Sequence, residues 1–303
     1  MIYLAIAGRM GNQLFQYAFA RNLQIHTGEP LVIDFLHYSG EDGYEDALRY
    51  FNVVDYEKAT GGEIPQLIKI SLKIIKKIKP SNLWLKYWFE LLTNPILSRC
   101  GLIYLETDYK VLPYTFNKNR KFTYVKGWFE SADYFSGIDD IIRKEITPRN
   151  KMTSEDMELI QYLQNNESVC ITVRRGNFTS PMYKDKYLVC GIDYFLKSIA
   201  YIKKRVKTPL FYVCSDDIEW CKQNLKLTEG VIFERNGLHV WEKLMIMSHC
   251  RHFIISNSTF SWWAQHLSSY KEKIVVAPSV WRRESPSPMA IKEKYWIYLD
   301  DEQ

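Results

Sequence analysis

The chain has 303 residues, of which 47% are hydrophobic and 25% charged, and its formal net charge is +5. The length suits two domains, and the composition is that of a globular protein, which argues against disorder of the whole chain. A mildly basic charge favours an anionic ligand or an anionic membrane surface. The sequence has no zinc-finger, RNA-recognition or homeodomain pattern, so we expect no nucleic-acid partner.

The cysteines and the N-terminal segment bear on localisation. None of the six cysteines forms a CxxC pair or a zinc-like Cys/His spacing, which is typical of a reduced protein. Residues 1–7 are apolar but lack the basic region and cleavage site of a signal peptide, and the chain has no run of 18 apolar residues. We therefore predict a cytoplasmic protein that begins with a β-strand.

The first elements in chain order are a strand, a helix and a second strand. Residues 2–7 are an apolar run, and residues 12–26 have helical spacing that ends at Gly28. Residues 31–35 have the sequence of a second strand and include Asp34. This order predicts a β-α-β unit at the start of the chain.

Residues 67–79 predict an amphipathic helix with an isoleucine-rich face, five lysines and an end at Pro80. An aromatic segment follows it. A basic amphipathic helix with aromatic neighbours favours an anionic interface, so we expect residues 67–92 to contact the inner face of the cell membrane. The alternative is a helix docked on its own domain with its lysines in water.

In the second half, apolar runs alternate with helix-like stretches. The predicted strands cover residues 169–173, 210–214, 231–233, 253–255 and 274–277. The predicted helices cover residues 194–205, 218–225, 241–250 and 259–267. Such alternation predicts a parallel sheet covered on both faces. The predicted fold class is α/β, with two Rossmann-like domains, 1–150 and 151–303, facing a cleft.

Ligands of such sheets bind beyond the carboxyl ends of the strands, so the residues after each strand are the candidates. After the first strand, Gly8 and Gly11 allow the backbone to approach a ligand closely. Asn12 and Gln13, beside Arg9, can hydrogen-bond sugar hydroxyls. A plain tight turn is the alternative.

Arg174 and Arg175 directly follow the strand at 169–173, and Gly176 and Asn177 come next. Guanidinium groups bind phosphate oxygens in a bidentate, permanently charged way. A structural salt bridge explains one arginine, whereas two call for an anion or a second carboxylate. The loop is therefore predicted to bind phosphate.

Ser215, Asp216 and Asp217 follow the next strand. A carboxylate there can accept two hydrogen bonds from a guanine edge or from ribose hydroxyls. Capping of the helix at 218–225 is an equal alternative.

Asn257, Ser258 and Ser261 follow the strand at 253–255, at a helix N-terminus that favours an anion. Helix capping, with Trp262 and Trp263 in the core, is compatible with that function. The sequence has no Asp-x-Asp pair. Because two arginines and a helix terminus can neutralise a diphosphate leaving group, we expect no metal cofactor.

Together these loops resemble the motifs of the α-1,2-fucosyltransferase family. Gly8-Arg-Met-Gly11-Asn12-Gln13 resembles its opening motif, and the segment 169–178 resembles its His-x-Arg-Arg-Gly-Asp-Tyr motif. The segments 211–217 and 254–263 resemble its two later motifs, in the family's order.

The resemblance implies a GT-B-like fold and an inverting, metal-independent transfer of L-fucose from GDP-fucose to the 2-hydroxyl of a galactose-containing oligosaccharide. Domain 1–150 would bind the acceptor and domain 151–303 the donor. It implies catalytic roles for Arg174 and Asn12, and an acceptor-side position for Arg9 and Gln13. The donor-binding residues that it implies are Gly11, Arg175, Gly176, Asn177, Ser215, Asp216, Asp217, Asn257, Ser258 and Ser261.

Two residues depart from the family pattern: Thr172 stands in place of His, and Asn177 in place of Asp. A general base at either position is therefore excluded, and the sequence names no other. One alternative is a transferase of another GDP-sugar, or an O-fucosyltransferase with a peptide acceptor. A second is a catalytically silent nucleotide-sugar or glycan-binding protein, which donor turnover distinguishes from an enzyme.

Overall fold

Two parallel β-sheets, each covered by helices, form the protein, which confirms the predicted α/β fold class. The computed structural model describes residues 1–38, 44–116, 120–176, 190–282 and 289–300. These residues form two compact units. Unit 1 comprises residues 1–149 and 289–292, and unit 2 comprises residues 150–282 and 293–300. Within these described ranges, no helix is long and apolar enough to cross a membrane.

Unit 1 contains a five-stranded parallel sheet in the order β3-β2-β1-β5-β4. Its strands are β1 (Ile2–Ala5), β2 (Leu31–Asp34), β3 (Glu57–Lys58), β4 (Leu102–Leu105) and β5 (Thr123–Gly127). Its α-helices are α1 (Met10–Thr27), α2 (Gln66–Ile78), α3 (Leu83–Arg99) and α4 (Asp139–Glu145). Gly28, with φ +73°, ends α1 by donating its N–H to the carbonyl of Gln24.

Helix α3 follows α2 after a short break at Pro80. The side chain of Asn82 caps it by accepting hydrogen bonds from the N–H groups of Trp84 and Leu85, at 3.0 and 3.1 Å. The aromatic segment that the sequence showed is therefore the first half of a 17-residue helix.

Unit 2 contains a six-stranded parallel sheet in the order β11-β10-β9-β6-β7-β8. Its strands are β6 (Ser168–Val173), β7 (Leu210–Ser215), β8 (Val231–Phe233), β9 (His252–Ile254), β10 (Val275–Pro278) and β11 (Ile297–Leu299). Its α-helices are α5 (Ser154–Asn165), α6 (Ile192–Lys203), α7 (Ile218–Asn224), α8 (Val240–Ser248) and α9 (Thr259–Leu267). Every residue of β6 and β7 is buried, as a sheet covered on both faces requires.

The chain returns to unit 1 near its end, which the predicted domain 151–303 did not include. Residues 289–292 belong to unit 1, where the N–H of Ala290 donates to the carbonyl of Asp108 at 2.9 Å. The next residues rejoin unit 2 and end in β11, which pairs with β10.

Candidate active site

Three of the predicted loops meet at one edge of the unit 2 sheet. Strands β9, β6 and β7 are parallel neighbours, so their carboxyl ends lie side by side. Val173, the last residue of β6, is in register with Ser215, the last residue of β7. This edge is where open α/β sheets bind their ligands.

Asp216 holds the first arginine in place. Its Oδ2 accepts a hydrogen bond from Nη1 of Arg174 at 2.5 Å, and its Oδ1 accepts one from the backbone N–H of Arg175 at 2.8 Å. A Cβ at Gly176 would lie 2.4 Å from Oδ2 of Asp216, so any larger residue there would displace this carboxylate. A charge-assisted pair of this kind fixes the direction in which Arg174 points.

Arg175 is held by Asp217 and by an aromatic ring. Its Nε donates to Oδ2 of Asp217 at 3.2 Å, and its guanidinium carbon lies 4.1 Å from the ring centroid of Trp220. Oδ1 of Asp217 also caps α7 by accepting the N–H of Trp220 at 3.2 Å. The predicted capping of α7 is confirmed, and the same carboxylate pairs with an arginine.

These pairs change what the two arginines imply. The sequence left an anion or a second carboxylate as explanations, and the structure supplies one carboxylate for each arginine, Asp216 and Asp217. Recognition of guanine by either carboxylate stays a prediction, and in this structure both position arginines.

The thiol of Cys221 lies beside this loop. Burial raises its pKa to about 11, although a hydrogen bond with Ser215 lowers it. The thiol therefore stays protonated at neutral pH and is not a nucleophile.

Hydrogen bonds of a buried side chain fix the loop after β9. Asn257 is buried, donates through Nδ2 to the carbonyl of Trp281 at 2.8 Å, and accepts from Sγ of Cys190 at 3.6 Å. Ser261 is buried as well, and Ser258 occupies the N-cap position of α9 without a capping hydrogen bond from its side chain. The predicted capping by a hydroxyl is therefore wrong here, and Ser258 is the most accessible of the three.

Thr172 replaces the histidine of the family pattern with a structural contact. Its buried Oγ1 accepts the N–H of Ser256 at 3.1 Å, which ties β6 to the loop after β9. Asn177, the second departure, lies outside the described residues.

At the carboxyl edge of the unit 1 sheet, Gln13 organises the loop after β1. It is fully buried, donates through Nε2 to the carbonyl of Glu45 at 2.8 Å, and accepts the N–H of Ala47 at 3.0 Å. Gly8, with φ +79°, accepts the hydroxyl of Tyr38 at 2.7 Å. The acceptor-side role of Gln13 stays a prediction, and in this structure its side chain is buried and holds the loop.

Asn12 pairs with a carboxylate that sequence reasoning missed. Its Nδ2 donates to Oε1 of Glu130 at 3.2 Å. Glu130 is buried and follows β5, the neighbour of β1, so both groups lie at the same edge. Phe129 has φ +52°, a strained value, and its ring stacks on Phe19 at 3.8 Å.

The other residues predicted in this loop occupy different positions. The guanidinium carbon of Arg9 lies 5.3 Å from the ring centroid of Tyr44, which keeps it at the start of α1. Gly11 is buried in the first turn of that helix, because α1 begins at Met10, two residues earlier than predicted.

A family model for glycosyl transferase family 11 matches residues 60–300. The chain belongs to this family. It is therefore a glycosyltransferase, and the resemblance drawn from its four motifs is confirmed.

Named relatives of this family 11 member act in related ways. The chain is 28% identical to an α-1,2-colitosyltransferase of Escherichia coli, over 99% of each chain. It is 27% identical to galactoside α-(1,2)-fucosyltransferase 1 of Homo sapiens over 158 residues, which cover 48% of this chain and 43% of the relative.

A solved structure shares the fold. The α-1,6-fucosyltransferase NodZ, in a crystal soaked with GDP-fucose, matches with a TM-score of 0.54 over 95% of this chain and 97% of its own. The two sequences are 14% identical, so this match bears on the fold alone.

Proposed function

We propose that this family 11 enzyme transfers L-fucose from GDP-fucose to the 2-hydroxyl of a galactoside, with inversion, in a cell-surface glycan or O-antigen precursor. The observation that carries the proposal is the pair of arginines, Arg174 and Arg175, held by ion pairs at the carboxyl edge of the unit 2 sheet. The human relative, a galactoside α-(1,2)-fucosyltransferase, supports the sugar, the acceptor and the linkage.

In an inverting transfer, the acceptor oxygen bonds to the anomeric carbon while the bond from that carbon to the diphosphate oxygen breaks. Negative charge develops on the departing GDP, and Arg174 is positioned to stabilise it. Asp216 acts through Arg174 by fixing its direction, and Arg175 supplies a second positive charge. Unit 2 is in this way the donor side of the proposal.

The proton of the acceptor hydroxyl also needs a destination. Asn12 can orient the hydroxyl through its side-chain amide, and Glu130 offers a carboxylate within hydrogen-bond distance of Asn12. We assign Glu130 as the group that takes the proton, directly or through one water molecule. Unit 1 is then the acceptor side.

A second candidate donor is GDP-colitose, because the relative matched over 99% of both chains is an α-1,2-colitosyltransferase. Colitose is fucose without the hydroxyl at C3. A site that hydrogen-bonds this hydroxyl rejects the deoxy sugar strongly, whereas a site that leaves it unbound accepts both. Comparing kcat/KM for the two donors on one acceptor decides between them.

The nucleotide is tested by thermal unfolding. GDP should raise the melting temperature, since it binds the native state, and UDP should raise it much less. Arginines bind any diphosphate, so the preference for GDP over UDP comes from the base and amounts to about 1 to 3 kcal/mol of binding free energy. Equal shifts with GDP and UDP would favour a UDP-sugar transferase.

A panel of galactosides and peptides with GDP-fucose then tests the acceptor. Transfer to the galactosides supports the proposal, and transfer to peptides alone points to an O-fucosyltransferase. Donor binding without any turnover identifies a binding protein.

Metal independence belongs to the same proposal, because the sequence has no Asp-x-Asp pair. Activity should be unchanged in EDTA. Activity that disappears in EDTA and returns with Mn²⁺ or Mg²⁺ contradicts this part.

We further propose that the enzyme is cytoplasmic and peripheral at the inner face of the cell membrane, through residues 67–92. Support comes from the exposed side chains of this segment, which include Leu67, Ile74, Trp88 and Leu92. Such contact would place the enzyme beside acceptors carried on membrane lipids.

A further inference from the structure

Helix α3 has its polar and apolar faces inverted. Glu90, Asn94 and Ser98 recur every four residues and are all buried. Glu90 accepts the N–H of Thr107 at 2.8 Å, and Asn94 donates to the carbonyl of Pro113 at 2.7 Å. The exposed face consists of the apolar residues Trp84, Leu85, Trp88, Leu92 and Ile96, with Arg99 exposed at the end of the helix. A surface helix of a soluble protein ordinarily shows the reverse pattern, so this face is suited to an apolar environment.

Helix α2 adds a second apolar face on the same side of unit 1. Ile68 and Ile75 of α2 pack into the core cluster on one face of the sheet, and Phe89 and Leu97 of α3 pack against the same cluster. Both helices therefore cover the same sheet face and present their outer sides in the same general direction. The exposed apolar residues of α2 are Leu67, Ile70, Ile74 and Ile78.

The charges around these faces have one sign. Residues 66–99 include six lysines and one arginine, and a single acidic residue, Glu90, which is 1% exposed. Lys73, Lys76 and Lys77 are exposed on α2 beside its apolar face. Within this segment the accessible surface is thus apolar and cationic.

Three further lysines converge on one carboxylate where α2 and α3 meet the carboxyl edge of the sheet. Lys79 contacts Glu106 directly, Nζ of Lys86 lies 3.6 Å from its Oε2, and Nζ of Lys126 lies 3.9 Å from its Oε1. Burial raises the pKa of Glu106, but hydrogen bonds from Lys79 and Tyr104 hold it below its usual value. Glu90 is a second carboxyl near Lys86, but burial raises its pKa to about 7, so it is only partly ionised at neutral pH. Burial and the neighbouring lysines, Lys76 and Lys79, lower the pKa of Lys126, although Glu106 raises it. This crowding of positive charge in a half-buried place favours an anion.

We propose that the outer faces of α2 and α3 lie on an anionic phospholipid bilayer, and that Lys79, Lys86 and Lys126 bind the phosphate group of a lipid. This inference rests on the proposed membrane contact and adds the lipid site to it. Apolar side chains enter the headgroup boundary, tryptophans lie at that depth, and lysines pair with the phosphates. The same sheet edge carries Asn12 and Glu130, so a bound lipid lies on the acceptor side.

A bilayer fits this surface better than a protein partner does. Protein interfaces tend to be depleted of lysine, whereas the exposed charged residues beside these apolar faces are all cations, and most are lysines. A second copy of the chain would bring the same positive charge against itself, which costs free energy. The surface therefore complements an anionic lipid layer.

Co-sedimentation of the full chain with vesicles tests the proposal. Vesicles of phosphatidylcholine with phosphatidylglycerol should bind the protein at low salt, and binding should weaken at high salt. Leu92→Glu should reduce binding to every vesicle, because it places a charge on the apolar face. Phosphatidylglycerol should increase the binding of the wild type to vesicles. Lys86→Gln and Lys126→Gln should each lower this increase about fivefold and leave binding to pure phosphatidylcholine vesicles unchanged.

Matched variants separate the lipid site from general effects. Tyr162→Glu changes an exposed hydrophobic residue of unit 2, and Lys58→Gln changes an exposed, acid-paired lysine of unit 1; neither should alter vesicle binding. Absence of binding to anionic vesicles at low salt overturns the proposal. A second result would also overturn it: the wild type does not bind vesicles, and sedimentation velocity shows a dimer that Leu92→Glu dissociates.

Two more measurements complete the test. If Lys58→Gln and Lys126→Gln weaken binding to anionic vesicles equally, the proposed phosphate site is wrong. Transfer of fucose from GDP-fucose to a soluble galactoside is measured on the same samples. If the protein binds vesicles but transfers no fucose, the proposed function is wrong and the lipid site is not affected.

Discussion

The carboxyl edges of the two sheets carry different chemistry. In unit 2 the edge presents two arginines fixed by two consecutive carboxylates, Asp216 and Asp217. In unit 1 the loop after β1 is organised by neutral groups, and Asn12 faces Glu130. Fixed positive charge suits a diphosphate leaving group, whereas amides and a carboxylate suit sugar hydroxyls and a proton. The proposed donor and acceptor roles therefore rest on loops that differ between two sheets of the same parallel type.

The sharpest test of this division is Arg174→Ala. Turnover should fall about 100- to 1,000-fold with the fold intact, since a charge that stabilises the leaving group is lost. Arg174→Lys should restore little, because a point charge lacks the bidentate geometry. Steady-state kinetics with GDP-fucose and a galactoside provide the measurement.

Arg251→Ala is the matched control. Arg251 pairs with Glu167 at 2.6 Å at the opposite, amino edge of the same sheet. It should cost stability and leave turnover largely unchanged. Near-normal turnover in Arg174→Ala, or an equal loss in both variants, removes the leaving-group assignment.

Asp216→Asn should have the next largest effect. It keeps the shape of the side chain but removes the charge that fixes Arg174, so kcat should fall about 10- to 100-fold. If Asp216 instead binds guanine, Asp216→Asn should reduce the difference in affinity between GDP and UDP. It should then change KM for the donor more than kcat. Glu167→Gln, which weakens the pair with Arg251, is the control.

The unit 2 edge could be predicted from sequence because its signals are local. A run buried on both faces, residues 169–173, ends in two arginines, and parallel strands bring such ends together. The same reasoning selected Ser215, Asp216 and Asp217 as candidates at this edge, but it did not identify Asp216 and Asp217 as the partners of the two arginines. Pairing between side chains 42 positions apart in the chain is settled only by strand register.

The unit 1 edge was harder to predict because its contacts are non-local. Gln13 has the appearance of a sugar-binding amide, but its partners Glu45 and Ala47 lie more than 30 residues along the chain. Glu130 lies three residues beyond β5, after Trp128 and Phe129, so it does not directly follow an apolar run as Arg174 does. The spacing of Glu90 and Asn94 suggests a solvent-exposed face, yet both are buried because loop backbone groups satisfy them.

Asn12→Ala tests the acceptor side. Loss of one polar contact to the acceptor should lower kcat/KM for the galactoside about tenfold. Affinity for GDP should not change, because the donor groups belong to unit 2. Isothermal titration with GDP, beside acceptor kinetics, makes the comparison.

Asn22→Ala is the control for Asn12→Ala, because Asn22 lies on the same helix and donates to the carbonyl of Tyr134 at 2.9 Å. It should leave acceptor kinetics unchanged. If Asn12→Ala lowers the affinity for GDP, the assignment of donor binding to unit 2 alone is wrong.

The last prediction concerns stability and not turnover, and involves Glu90, which supports the unit 1 edge by accepting the N–H groups of Glu106 and Thr107. Burial raises its pKa to about 7. The folded state then keeps a proton that the unfolded state loses near the ordinary value, so the free energy of unfolding should fall as pH rises from about 4.5 to about 7. Glu90→Gln keeps an oxygen acceptor and cannot ionise. Relative to wild type it should therefore gain about 2 to 3 kcal/mol between pH 5 and pH 8, measured by urea unfolding. Glu219→Gln, at an exposed site on α7, should follow the wild-type profile. A parallel profile for Glu90→Gln would show that folding does not raise the pKa of Glu90.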